Sequence, residues 1–445
     1  MVQNFLRDFD NKILHRFLRR TKFKMPQETK KFSTITLGCK INQYETQALI
    51  EARELDGWVY QNEPADCQAI IINSCAVTSR AVRDTRKAAR QAAAASPEAE
   101  IIVTGCAVQA FEAEFSSMPE VSRTVPQQDK FTLSRERKNL DLGISDYFRA
   151  RAPVRVQDGC THRCTYCIVP LTRGKSVSRR PEDCLQEISE LFSSGIREIS
   201  LGGINLSQYG RDLEPKLDFW ELLNFLRDGM QKEWSGRARF RLSSLEPSEL
   251  TPRALHTLKR CSDMLCPHLH ISLQSGSPRI LRKMNRGHYH PEQLFDFLRG
   301  LKDIWPVFGL GADILLGFPG EDRELYAQTR SVVDRLPLTY AHIFPFSPRP
   351  GTPAAKFTSR VDPGETRERC RELKQITEEK QKAFHLSLLT LPAVHPVLET
   401  GQSGMNEYFV PTELKEPLPS AWIRRIIPVR PSAIHENKLT AEYKP

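Results

Sequence analysis

The chain has 445 residues, 40% of them hydrophobic and 27% charged, and Lys plus Arg outnumber Asp plus Glu by 64 to 54, a net charge of +10. That length asks for two or three domains, and no run approaches the ~18 apolar residues of a membrane helix, so a helical membrane span is excluded and a cytoplasmic protein expected. The positive surplus favours a polyanionic partner, while eleven cysteines without a secretory leader point to reduced thiols or metal ligands and away from a disulfide framework.

In chain order, residues 1–30 form a basic extension, either loosely ordered or lying upstream of a second start at Met25. From Phe32 the pattern becomes regular. Residues 32–37 predict a strand ending at Gly38-Cys39, with a helix over 44–55. Residues 69–73 end at Ser74-Cys75 before a helix over 79–95, and 101–104 end at Gly105-Cys106 before a third helical stretch. Three cysteines thus hold the same place in three βα units, 36 and 31 residues apart. Parallel strands of one sheet end on one edge, so Cys39, Cys75 and Cys106 are expected to converge; the alternative is three unrelated buried thiols. Residues 31–120 therefore read as a Rossmann-like α/β domain. Residues 121–150, with Pro126 and a charged RERK run, read as a linker.

A second pattern starts at Pro153. Strand-like runs at 154–156, 198–201, 239–242, 268–273, 311–316 and 340–344 alternate with helices, which predicts an open barrel of six βα units over 151–388. Directly after its first strand, Cys160, Cys164 and Cys167 stand in a C-x3-C-x2-C spacing. Three thiolates on one tight loop are a metal site. Structural zinc wants four protein ligands, and no second C-x2-C pair exists to supply them. An iron–sulfur cube on three thiolates fits the count better and leaves one iron open, with a zinc loop as the other reading.

The cysteine spacing, with Tyr166 just before the third cysteine, resembles the radical S-adenosylmethionine (SAM) enzymes. That resemblance implies a 4Fe-4S cluster on Cys160, Cys164 and Cys167 whose open iron binds SAM and cleaves it to a 5′-deoxyadenosyl radical. With an α/β domain carrying three dispersed cysteines ahead of it, the chain is similar to the methylthiotransferases from about residue 31 to residue 425. This implies a second 4Fe-4S cluster on Cys39, Cys75 and Cys106. The stretch LGCKINQYET at 37–46 is closest to the branch that modifies N6-threonylcarbamoyladenosine beside the tRNA anticodon. The isopentenyladenosine branch and the branch acting on an aspartate of ribosomal protein S12 are alternatives, and a non-catalytic, zinc-bearing RNA-binding protein is a remote one. The implied partners are a tRNA anticodon stem-loop and an electron donor such as flavodoxin or ferredoxin.

At the other strand ends lie Gly202 and Gly203, Ser243 and Glu246, and Gln274. With Tyr166 they are the SAM-binding candidates the resemblance implies, while turn and capping roles stay open for them. Arg349, on a Pro-Gly turn after the sixth strand, is open either to a carboxylate or phosphate or to solvent alone. Arg173, Lys175, Arg179 and Arg180 follow the cysteine loop in a run without acidic residues, expected either to grip tRNA phosphates or to form a solvated face. Cys67, Cys184, Cys261, Cys266 and Cys370 read as structural thiols. After a long charged helix over 363–388, residues 389–430 resemble a degenerate TRAM domain, the small RNA-binding β-barrel of the family, with β-like pieces at 393–399, 406–411 and 422–429. The tail 431–445 matches no element.

Overall fold

The computed structural model describes residues 30–134 and 143–443, so the extension at 1–29 and the RERK run lie outside the described residues. The first domain is a parallel sheet of β1 (Lys31–Thr36), β2 (Val59–Tyr60), β3 (Ala69–Ser74), β4 (Glu100–Gly105) and β5 (Arg123–Pro126), in the order β2-β1-β3-β4-β5. Ile70, Ile71 and Ile72 and then Ile101, Ile102 and Val103 are buried without alternation, the signature of strands covered on both faces. The covering helices are α1 (Lys40–Leu55), α2 (Ser79–Ala95) and α3 (Cys106–Ser116). Helix α1 starts four residues before its expected position, because its N-cap is Cys39, whose side chain makes no capping hydrogen bond and so gives no start signal. Strand β5 and a 3-10 turn over Gln127–Leu133 extend this domain into the expected linker; β5 is held by its ladder with β4, not by any apolar period of its own.

The second domain contains β6 (Arg151–Asp158), β7 (Val177–Ser178), β8 (Glu198–Gly203), β9 (Arg239–Leu242), β10 (Ser244–Leu245), β11 (His268–Gln274), β12 (Gly309–Leu316) and β13 (Tyr340–Pro345). Strands β6, β8 and β9 are parallel neighbours, as are β11, β12 and β13, and a bridge between Phe240 and Leu265 joins the two groups into an arc of six. Around it run α4 (Val169–Arg173), α5 (Pro181–Ser193), α6 (Phe219–Trp234), α7 (Pro252–Arg260), α8 (Pro278–Lys283), α9 (Gln293–Ile304), α10 (Arg323–Arg335) and α11 (Pro363–Leu388). One apolar cluster runs from Phe32, Tyr44 and Leu49 of the first domain through Val154, Ile199 and Phe240 of the second, so the two domains share a core.

The third domain is a five-stranded sheet of β14 (Val397–Leu398), β15 (Ser403–Met405), β16 (Pro411–Leu414), β17 (Arg430–His435) and β18 (Lys438–Glu442), in the order β14-β15-β16-β18-β17. It departs from expectation in three places. Most of the expected strand over 406–411 is a turn, in which Asn406 Oδ1 accepts from the amides of Tyr408 and Val410 at 3.0 Å each. Residues 422–429 contribute only isolated bridges, at Ile426 and Val429. The unassigned tail forms two paired strands, turned by Glu436 and Asn437 with φ of +47° and +63°, the left-handed geometry of a two-residue hairpin. Among the described residues no helix is long and apolar enough to cross a membrane.

Candidate cluster and cofactor sites

Register sets the first site. Thr36 pairs with Asn73 and Asn73 with Thr104, so β1, β3 and β4 finish level, and the chain runs from each directly into its cysteine. Gly38 and Gly105 make the bends at φ of +101° and +99°, where a side chain would be strained. Cys39 caps α1 and Cys106 is the first residue of α3, and the positive ends of helices favour thiolate ligands. Cys39, Cys75 and Cys106 lie near enough for their charges to interact. Burial pushes the Cys39 thiol up, with Arg173 opposing, and lifts Cys75 to about 11. Asn42 ties the edge together: its amide donates to Leu37 O at 2.7 Å and Ser74 O at 2.9 Å, and its Oδ1 lies 3.8 Å from Cys39 Sγ.

The second site is the loop after β6. Cys160 N donates to Gly174 O at 3.0 Å, Cys167 N to Cys164 O at 3.1 Å, and Thr165 N to Met284 O at 3.0 Å, which pins the loop to the end of α8. Gly159 has φ of +68°, and an added Cβ would run into Lys175 O. Two side chains donate to the sulfurs: Asn205 Nδ2 to Cys160 Sγ at 3.6 Å and Arg286 to Cys164 Sγ at 3.8 Å. Burial raises the Cys160 and Cys164 thiols and lifts Cys167 to about 12, so these groups ionise when a metal replaces their protons. Cys160, Cys164 and Cys167, with Lys175, Gly351 and Thr352, line a cavity of about 440 Å³.

Each triad offers three sulfur donors, one short of the four protein ligands of a structural zinc ion and the count that leaves one iron of a 4Fe-4S cluster open. Among the described residues, His270, Asp313 and His342 bring three donor atoms within 4.8 Å of one another. Helix α4 packs against α3, and Ile168, beside Cys167, joins the apolar cluster that includes Cys106, so the two sites adjoin.

The other expected residues divide. Glu246 is buried and paired with Arg286 at 2.5 Å; burial alone would raise its carboxyl, but His288 and Arg286 hold it below the usual range. Through Arg286 it is joined to Cys164. Tyr166 packs edge-on to Phe318 at 6.4 Å. A Cβ on Gly203 would stand 2.8 Å from Gln157 Oε1, so packing already requires that glycine, whereas at Gly202 the nearest atom is Ile41 Cδ1 at 3.6 Å. Ser243 Oγ is a buried oxygen without a hydrogen-bond partner, and Gln274 takes φ of +58°.

The basic run is corrected in part. Arg173 donates to Glu45, Asp158 and Asn42, and Arg179 to Glu187 and Tyr44, so both are buried structural cations and neither is free for phosphate. Their carboxylates come from α1, β6 and α5, which a run read on its own does not show. Lys175 and Arg180 are exposed. Sequence reasoning gave no role to Glu45, Asn205 or Arg286, whose partners lie 128, 45 and 40 residues away along the chain. Arg349 is not left to solvent: it is buried and reaches across to Ser79 Oγ at 2.8 Å, near Cys75.

Residues 154–331 match the family described as the Radical SAM superfamily, and residues 31–125 match the one described as Uncharacterized protein family UPF0004. The chain is 33% identical over 370 residues to the threonylcarbamoyladenosine tRNA methylthiotransferase MtaB of Bacillus subtilis, covering 78% of this chain and 80% of that one. It is 32% identical over 397 residues to the MtaB of Rickettsia prowazekii, covering 85% and 90%. It is also 33% identical over 380 residues to a tRNA-2-methylthio-N(6)-dimethylallyladenosine synthase of Clostridium botulinum, covering 78% and 82%. Among solved structures, the radical SAM methyltransferase TsrM of Kitasatospora setae has a TM-score of 0.54 at 13% identity, covering 79% of this chain and 89% of that one.

Proposed function

The chain belongs to the radical SAM methylthiotransferases, and from that premise we propose that it adds a methylthio group to C2 of N6-threonylcarbamoyladenosine, next to the anticodon of tRNA. The observation that carries the reading is the pair of adjoining three-thiol sites, in a chain whose relatives over four-fifths or more of their length are named for this reaction. Cys160, Cys164 and Cys167 would hold the 4Fe-4S cluster that binds SAM, and Cys39, Cys75 and Cys106 a second one. When bound, these groups and SAM supply the radical and the sulfur chemistry.

The protein's own residues then do three things. Asn205 and Arg286 donate hydrogen bonds to the thiolates of the SAM-binding site, which tunes a cluster's potential, and the Glu246 carboxylate holds Arg286 in position. The shared core of the first two domains and the buried Arg173–Glu45 pair hold the two sites against each other. Lys175, which lines the cavity, and Arg180, exposed five residues on, meet tRNA phosphates, while a base in the anticodon loop is splayed out of its stack to enter. A small acidic electron carrier such as flavodoxin or ferredoxin would reduce the SAM-binding cluster, and the cytoplasm is where such an enzyme works.

The relative named for dimethylallyladenosine is as identical as the first one, so that base is the second reading. Mass spectrometry of nucleosides from digested tRNA of a deletion strain, with and without the gene restored, separates them: restoration of the methylthio form of one base and not the other identifies the substrate. Iron and acid-labile sulfide per chain test the two sites. About eight irons in the reconstituted protein, falling to about four in a Cys160→Ala/Cys164→Ala/Cys167→Ala variant, is the expected result; about four falling to none would remove the second cluster.

A further inference from the structure

We infer that Lys40 is the specificity-determining residue of this enzyme, its ammonium taking the carboxylate of the threonyl group on the substrate base. The inference rests on the proposed substrate and deepens it: threonylcarbamoyladenosine carries one carboxylate on its N6 substituent, and a dimethylallyl group carries none.

Three observations lead there. Lys40 follows Cys39 at the start of α1, its side chain reaches solvent, and its Nζ lies 5.8 Å from the ring centre of Phe409, a residue of the third domain. Its place is therefore the meeting point of three domains, beside the first cluster site. Second, it has no counter-ion. The charges around it are those of Arg151, Arg241 and Glu198. Glu198 is taken by Arg239 and Arg241 at 2.7 Å each, Arg151 is paired with Glu399 at 2.8 Å, and Glu407 lies 3.9 Å from Arg239. Each arginine there has its carboxylate, while Lys40 has no ion pair or hydrogen bond among the described residues. Open to solvent and without an ion pair, Lys40 is free to meet a carboxylate, and the two arginines beside it add to the positive field there.

Third, the surroundings suit a base with such a substituent. From Phe409 a strip of rings runs along β13: Tyr340 at 5.3 Å, His342 at 5.5 Å from Tyr340, and Phe344 at 6.2 Å from His342. His342 and Phe344 are exposed, and Tyr340 is fixed by hydrogen bonds with His268 and His270 at 3.0 and 2.9 Å. Aromatic faces of this kind stack bases without regard to their edges. Stacking then holds the purine, and Lys40 reads the charge of what it carries.

The test uses two anticodon stem-loops that differ at one group: one with N6-threonylcarbamoyladenosine, the other with its carboxylate blocked as the methyl ester. Reconstituted wild type is expected to favour the acid by about tenfold to a hundredfold in kcat/KM, as for loss of a charged hydrogen bond, and Lys40→Met to treat the two alike. Because each ratio is taken within one protein, incomplete cluster loading cancels. If a variant turns over neither stem-loop, the ratio of their dissociation constants makes the same comparison without chemistry. An undiminished acid preference in Lys40→Met, or no preference in wild type, overturns the assignment. Failure of wild type to modify the acid stem-loop, with the dimethylallyl stem-loop modified, is a different result: it removes the substrate reading and the inference with it.

Discussion

Arg173, at the end of α4 in the second domain, donates to both carboxylate oxygens of Glu45 in the first domain, at 2.9 and 3.1 Å. Glu45 also accepts from Lys130 at 2.6 Å and Arg155 at 3.3 Å, so one fully buried carboxylate faces three cations drawn from both domains. Burial would raise it, yet Arg173 and Lys130 hold it far below the usual carboxylate range. Glu45→Gln leaves those cations uncompensated, and the expected loss is about 3–5 kcal/mol of stability in urea denaturation. Arg173 also holds Asn42 beside Cys39, so iron at the first site should fall as well. A loss under about 1 kcal/mol would mean that Asp158 alone suffices to balance Arg173.

Gly38 carries the first cysteine past the second. A Cβ there would meet Cys75 Cβ at 2.7 Å and Sγ at 2.9 Å, with φ already at +101°. Gly38→Ala is expected to cost about 1–3 kcal/mol and to displace Cys75, lowering iron by about half while SAM cleavage at the other site persists. Full iron in this variant would show that the edge can adjust.

Asp313 gives a pH signature. Burial alone would raise its carboxyl, but hydrogen bonds from His270 and His342 win and bring it from 3.8 to about 2. A depressed carboxyl stabilises above its unfolded value and loses that contribution as pH falls through the folded one. The difference in stability between wild type and Asp313→Asn should therefore be full, at roughly 2 kcal/mol, above pH ~4 and shrink toward zero near pH ~2. A difference that does not change with pH would show that the carboxylate is not the group concerned.

Lys175 and Arg180 are exposed, whereas Arg173 and Arg179 are buried among carboxylates. Lys175→Gln/Arg180→Gln is expected to weaken tRNA binding and to reduce the slope of log K against log salt by about two. Arg179→Gln should instead lower the thermal midpoint by removing the partner of buried Glu187. An unchanged salt slope in the double variant would place the tRNA track elsewhere.

Much of the fold is legible in the sequence because periodic patterns report burial directly. Helix α2 and strand β9 fall where their apolar spacing puts them, and the six strands of the arc stand in the expected order. The cysteine positions follow from strand ends, since parallel topology converts sequence order into a shared edge. Pairings across long separations are not legible: Glu45 meets Arg173 over 128 residues and Arg286 meets Glu246 over 40, and no local pattern joins the two members of either pair. The tail escapes for another reason. Its turn uses Glu436-Asn437 in place of the Asn-Gly or Asp-Gly pair that signals a tight hairpin.

The last sheet has an order of assembly built into it. Strand β18, although it follows β17 in the chain, lies between β16 and β17, so β17 has no place to pair until residue 442 has been synthesised. The turn bearing Phe409 hangs from this sheet. Since domains of a nascent chain fold in the order they are made, the ring beneath Lys40 comes into place only after the sheet that carries it has closed, later than both cysteine triads.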